Sequence, residues 1–177
     1  IWAACSNRDS LKLAAQLGLG ALTFAFVNAE EAKFWVDEYY ETFKTECKPV
    51  GQALNPNVSM LTGFMCHEDL DTAIRYGQEG AQFFAFGLGH YWRDGVHIPG
   101  HTDLWSEFKK RPGNDNEILE RERKKNGMRG IGNPKELIEN FCALENAGVD
   151  QLILLQQCGA YRHEHICKSM ELFAAEV

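Results

Sequence analysis

Asp150-Gln151-Leu152-Ile153-Leu154-Leu155 is a nearly continuous apolar run. A strand of this composition suits a parallel sheet covered on both faces, where no strict polar alternation is required. Gly148 stands just before it, placed to end a helix in the left-handed conformation. Further upstream, Asn133-Pro134-Lys135-Glu136 is the strongest helix start in the chain. It combines an N-cap residue, a proline at the first helical position and an acid two residues later. A closing amphipathic helix is expected over 161–176. The decisive run is therefore a strand set between two helices.

The same rhythm runs back to the N-terminus. Residues 1–5 are short and apolar, and Ser6-Asn7-Arg8-Asp9 follows, with Ser6 and Asp9 spaced as a capping box. A helix over 8–17 should bury Leu11, Ala14 and Ala15, and Gly18 should stop it. Residues 20–27 read as a buried strand in which Phe24 and Phe26 alternate with Thr23 and Ala25. Asn28 with Glu31 starts a helix through Cys47, with Phe34, Tyr39 and Phe43 sharing much of one face and Pro49 marking its end. Residues 58–66 read as one strand, followed by a helix from Asp69 to about residue 84.

Residues 87–113 lack a period, and 114–125 form a charged helix, so about 87–130 is read as an insertion within a single partial domain spanning 1–177. The order β-α-β-α-β-α, insertion, β-α calls for parallel strands joined by right-handed crossovers. A dinucleotide-binding sheet would carry a glycine-rich turn after its first strand, and Ser6-Asn7-Arg8-Asp9 is not one. Four parallel strands fit better as half of a (β/α)8 TIM-type barrel, since a whole one needs about 250 residues. The start at Ile1 in strand-like sequence reads as a truncation. Such a half has two open edges, which favour homo-oligomers or other association along the barrel edges.

Composition narrows the function classes. The chain has 177 residues, 45% of them hydrophobic and 11% aromatic, and carries a net charge of −7. That balance suits a packed core and disfavours a nucleic-acid surface, because the basic runs at 109–111 and 121–125 are offset by carboxylates. No apolar stretch approaches the roughly 20 residues that span a bilayer, and no signal-peptide pattern is present, so a cytoplasmic protein without a membrane partner is expected. Six scattered cysteines without a C-x-x-C pair agree with that.

Two stretches resemble the bacterial luciferase-like flavin-dependent monooxygenase family. The first runs from Ala3-Ala4-Cys5-Ser6-Asn7 through Ala14-Ala15-Gln16-Leu17-Gly18-Leu19-Gly20 into Ala21-Leu22-Thr23-Phe24. It is similar to the family's fifth strand, the helix after it and its sixth strand. The second runs from Gly132-Asn133-Pro134 through Ala147-Gly148-Val149-Asp150-Gln151-Leu152-Ile153-Leu154 to Arg162-His163-Glu164-His165-Ile166 and Ser169-Met170-Glu171-Leu172-Phe173. It is similar to the family's C-terminus. The resemblance implies strands five to eight of the barrel, and a parent enzyme that oxidises an organic substrate such as an aldehyde with reduced FMN and dioxygen, the flavin being supplied by a reductase. It also implies that the family's catalytic His and part of its phosphate clamp lie in the other half, so the isolated chain is expected to be inactive. A deazaflavin-dependent oxidoreductase of the same fold, or an inactive half-barrel serving as a partner subunit, are the alternatives.

Carried onto this chain, the resemblance places the flavin phosphate at Ser6, Asn7 and Ser10, with Ala4 and Cys5 beside the ring. A helix N-terminus offers unpaired N–H groups and the positive end of a dipole, so it suits an anion. The same residues also suit an ordinary cap. Asp9 opposes a phosphate there, and Arg8 could offset it. His163 and Cys167 share a helix face but lack further ligands at matching spacing, so no metal is expected. Arg162 and His163 suit capping or pocket-lining, and His67 suits either helix initiation or a pocket. His90, Tyr91, Trp92, His97 and His101 are candidate lid or loop-anchoring residues of the insertion.

Overall fold

The computed structural model describes residues 1–25, 27–91, 98, 100–110 and 130–177. They fall into two compact units, one of Ile1–Thr62 with Ile138–Leu154 and the other of Gly63–Leu137 with Leu155–Val177.

The first unit is built on strands β1 (Trp2–Ala4), β2 (Gly20–Phe24), β3 (Val58–Gly63) and β6 (Gln151–Leu155), in the order β1-β2-β3-β6. The pairing is parallel, with Ala3 opposite Ala21 and Thr23 opposite Met60. Helix α1 (Arg8–Gln16) lies between β1 and β2, and α2 (Ala29–Glu46) between β2 and β3. Both stop where expected: Gly18 takes a φ of 74° after α1, and Cys47 leaves α2 in extended conformation. Each helix start depends on an asparagine. Asn28 accepts the Glu31 N–H at 2.8 Å. At α1 the capping box is Asn7 with Ser10, not Ser6 with Asp9. Asn7 is the residue in extended conformation, so its own side chain reaches the third helical N–H.

Leu11, Ala14 and Ala15 of α1 pack with Ala32, Val36 and Tyr39 of α2 against Ala21, Ala25, Val58 and Met60. Leu144, Ala147 and Val149 complete that core. The first two come from the end of α5 (Pro134–Asn146) and the residue after it, and Gly148 turns the chain with a φ of 86°. Strand β2 ends at Phe24 rather than at residue 27. Ala25 still donates to Leu61 O at 2.9 Å before Asn28 opens the next helix. Phe26 lies outside the described residues.

The second unit departs further from the sequence reading. The expected strand 58–66 divides at Phe64. Phe64 N–H donates to Leu155 O at 3.1 Å, but Met65 N–H donates to Gly130 O at 2.9 Å. The chain thereby enters a separate parallel pair, β4 (Met65–Cys66) with β5 (Ile131–Gly132). Two-residue strands are too short to leave a periodic signal, so β5 was not expected from sequence.

Helix α3 (Leu70–Gly89) is capped by Asp69, as expected, but runs past residue 84 and brings His90 to its C-cap. Its length depends on Gly77, where a Cβ would stand 2.7 Å from Met65 Cβ and 2.9 Å from Ile131 Cγ2. Only glycine lets the helix lie so close to both β4 and β5. Helix α4 (Leu104–Lys109) packs Trp105 and Phe108 against Phe83 of α3. Helix α6 (His163–Glu176) is held by Ser169 Oγ, which accepts the Cys66 N–H at 2.7 Å, and by Phe173 edge-on to Phe64. The charged helix expected over 114–125 lies outside the described residues, as do Trp92 and His97.

Candidate functional site

Parallel strands place their carboxyl ends on one side of a sheet, which is where ligands of such folds gather. In the first unit these ends are Ala4, Phe24 and the close of β3 and β6. The α1 N-terminus opens directly after Ala4.

The five expected site residues do not share one environment. Ala4, Ser6 and Asn7 are exposed, Ser10 is half-buried and Cys5 is buried. Ala3 belongs to the helix-side core, so by strand alternation Ala4 faces the other way, beside Leu22. Cys5 Sγ lies 3.4 Å from both Ala3 O and Ser10 O, and burial pushes its thiol pKa up. The Cys5 side chain is thus part of the core, and only its backbone borders the strand end.

The capping box decides which donors remain at the helix start. Ser10 N–H donates to Asn7 Oδ1 at 2.9 Å, and Asn7 N–H donates to Ser10 Oγ at 3.2 Å. The Ser10 hydroxyl also donates locally, to Asn7 O at 2.8 Å. Two of the unpaired N–H groups are therefore satisfied within the helix, leaving the Arg8 and Asp9 N–H groups and the Ser6 hydroxyl without a partner among the described residues. These three groups form a small donor cluster at the positive end of the helix dipole. An anion fits them in hydrogen-bonding terms.

The charges around it are less favourable. Asp9 places a carboxylate in the first turn. Arg8 is turned away: its Nε donates to Glu38 Oε2 at 2.9 Å, and its guanidinium lies 4.3 Å from the Phe34 ring centroid. Lys12 Nζ stands 3.8 Å from the other Glu38 oxygen. Glu38 thereby draws both cations of α1 toward α2. The spacing of Glu38 from Arg8 across two elements left no signal in the sequence; only the packing of α1 on α2 brings them together.

The remaining candidates lie in the second unit. His67 Nδ1 accepts the Asp69 N–H at 3.0 Å, so it takes part in starting α3. Its ring is edge-on to Tyr76, on which His165 stacks at 3.8 Å. His163 Nε2 lies 3.5 Å from Cys167 Sγ, as four-residue spacing on a helix requires. Arg162 is the α6 N-cap position but makes no side-chain cap. His90 is buried near Phe86, 3.9 Å from Glu107 Oε2, while Tyr91 is exposed. His101 N–H donates to Ile98 O in a turn.

No protein-family model matches the chain, and no curated protein matches it. Solved structures do. The monooxygenase RslO1 from Streptomyces bottropensis is 18% identical with a TM-score of 0.63, over 100% of this chain and 46% of that one. The oxygenating constituent of 3,6-diketocamphane monooxygenase from Pseudomonas putida, a type II Baeyer-Villiger enzyme in complex with FMN, is 18% identical with a TM-score of 0.59, over 99% of this chain and 47% of that one. The coenzyme F420-dependent tetrahydromethanopterin reductase from Methanopyrus kandleri is 21% identical with a TM-score of 0.55, over 99% and 49%. The chain spans slightly under half the length of these proteins. Its fold is that of one half of a (β/α)8 barrel of the kind that luciferase-like monooxygenases and F420-dependent enzymes share.

Proposed function

We propose that this chain is the flavin-phosphate-holding half of a monooxygenase barrel that oxidises an organic substrate, such as an aldehyde, with reduced FMN and dioxygen. The observation that carries the reading is the donor cluster of Ser6 Oγ and the Arg8 and Asp9 N–H groups, at the start of the helix that follows β1. Phosphate would be held by these donors, with Asn7 and Ser10 fixing the turn that presents them. Ala4, small and exposed at the strand end, and the Cys5 backbone offer room for a flat ring. When bound, reduced flavin supplies the electrons with which dioxygen delivers one oxygen atom to the substrate and releases the other as water.

The clamp is incomplete, since neither cation of α1 reaches the donors, so binding to the isolated chain is weak and turnover is absent. The full system would include a flavin reductase and act in the cytoplasm. Self-association through the open edges of the sheet belongs to the same reading. Among the described residues no helix is long and apolar enough to cross a membrane.

Titration of FMN into the chain, followed by flavin fluorescence and by thermal melting, tests the site. Saturation in the millimolar range is expected; no change in either signal at millimolar flavin would remove the proposed cradle. The likeness to an F420-dependent reductase supports a second reading, hydride transfer with a deazaflavin. A parallel titration with F420 separates the two by preference.

A further inference from the structure

We propose that a second copy of this chain packs on the open face of the β1-β2-β3-β6 sheet, and that the two sheets close as one eight-stranded parallel barrel with β1 of each copy beside β6 of the other. This rests on the self-association part of the reading above and not on flavin.

Helices cover one face of this sheet within the first unit. Ala3, Ala21, Ala25, Val58, Met60 and Leu152 all face the core formed with α1, α2 and α5. By alternation and register the opposite face carries Trp2 and Ala4, then Leu22 and Phe24, then Ser59 and Leu61, then Gln151 and Ile153. None of these eight is ionisable. Trp2 and Ile153, at the two edges, are each 40% exposed. A largely apolar, uncharged sheet face that reaches water at both margins marks an interaction surface.

Ser59 adds an independent sign. Its side chain is 1% exposed and its hydroxyl has no hydrogen-bond partner. A buried hydroxyl left so is unfavourable by about 1–3 kcal/mol. A partner bringing its own Ser59 or Gln151 to the same face could satisfy it.

The edges define how the partner sits. Ile1 O accepts from Gly20, and Cys5 N–H donates to Leu22 O, so Trp2 and Ala4 turn their backbone groups away from β2. Strands β1 and β6 run in one direction at opposite ends of the sheet. A two-fold axis along the strands therefore brings β1 of one copy parallel to β6 of the other at both seams. Closure removes every edge, and eight strands give an interior just wide enough to be filled by side chains. Another four-stranded half could fill the same place, but the two-fold arrangement needs no other component.

Light scattering of the 177-residue chain after size exclusion should give twice the mass of one chain. Ile153→Asp and Trp2→Asp should each yield a monomer, whereas Leu13→Asp, on the exposed side of α1, should leave the dimer intact. The Ala4 amide of the unaltered chain should exchange slowly at high concentration and faster on dilution, a readout that does not depend on any variant folding. A monomer at high concentration overturns both this inference and self-association. A dimer indifferent to both aspartates, or an Ala4 amide that exchanges fast at every concentration, overturns the barrel closure alone. Neither result bears on FMN titration.

Discussion

The Tyr40 hydroxyl donates to Asp150 Oδ2 at 2.8 Å, and that same oxygen accepts the Val58 N–H at 2.7 Å. One carboxylate oxygen thus ties α2 to the starts of β3 and β6. It lies at the amino ends of the strands, opposite the candidate site, where contacts in such folds serve stability. Tyr40→Phe should lower stability by about 1 kcal/mol, and Asp150→Ala by about 2–3 kcal/mol, because the latter leaves a backbone N–H without its acceptor. Urea denaturation of both single variants and the double variant should give a double-variant loss smaller than the sum.

Alkali should act on the same region. Burial pushes Tyr39 up to about 12, and burial together with the hydrogen bond to Asp150 also raises Tyr40. Burial pushes the Cys66 and Cys158 thiols up to about 11. A raised pKa means that the folded chain keeps protons the unfolded chain releases. The stability these groups contribute is complete below the ordinary thiol value of 9.0 and is lost as pH rises through the folded values. Urea midpoints should stay level up to about pH 9 and decline beyond it. A level midpoint to pH 11 would contradict the burial of these groups.

Two glycines of α3 should respond in opposite directions. At Gly80 a Cβ would meet the Cys158 carbonyl oxygen at 2.5 Å and the Tyr161 ring, whose hydroxyl donates to Gly77 O. Backbone cannot move aside cheaply, so Gly80→Ala should destabilise by about 1–3 kcal/mol. At Gly87 nothing lies within 4 Å of the added Cβ. Gly87→Ala should stabilise by about 0.5–1 kcal/mol through the lower entropy of the unfolded helix segment. Paired thermal melts measure the difference.

The helix cap and the proposed phosphate contact can be separated at neighbouring residues. Asn7→Ala should destabilise the chain by about 1 kcal/mol, since Asn7 Oδ1 holds the Ser10 N–H. Ser6→Ala should leave the melting temperature unchanged and abolish the response to FMN. A Ser6→Ala chain that binds FMN like the unaltered one removes Ser6 from the cradle.

Glu38→Gln addresses the missing cation. It releases Arg8 from its pair with Glu38. If α1 presents the phosphate site, FMN should then bind about threefold more tightly, in line with the modest worth of an exposed ion pair. Weaker or unchanged binding would show that Arg8 cannot reach the ligand.

The amino-acid sequence determined what local chemistry controls. Gly18 and Gly148 had to end helices, Asn28, Asp69 and Asn133 had to begin them, and the run after Asp150 had to be a strand. Alternation of these signals was enough for four parallel strands and half a barrel. Tertiary structure alone decided the rest, because each remaining feature joins residues distant in the chain. Strand 58–66 changes partner at Phe64 because Gly130 takes the place of Leu155 as its acceptor. Asn7, rather than Ser6, caps α1 because of the backbone path out of β1. The composition of the candidate site was legible in Ser6-Asn7-Arg8-Asp9, but its electrostatics were not. Glu38 draws Arg8 away only once α2 has packed on α1, and no spacing along the chain records that encounter.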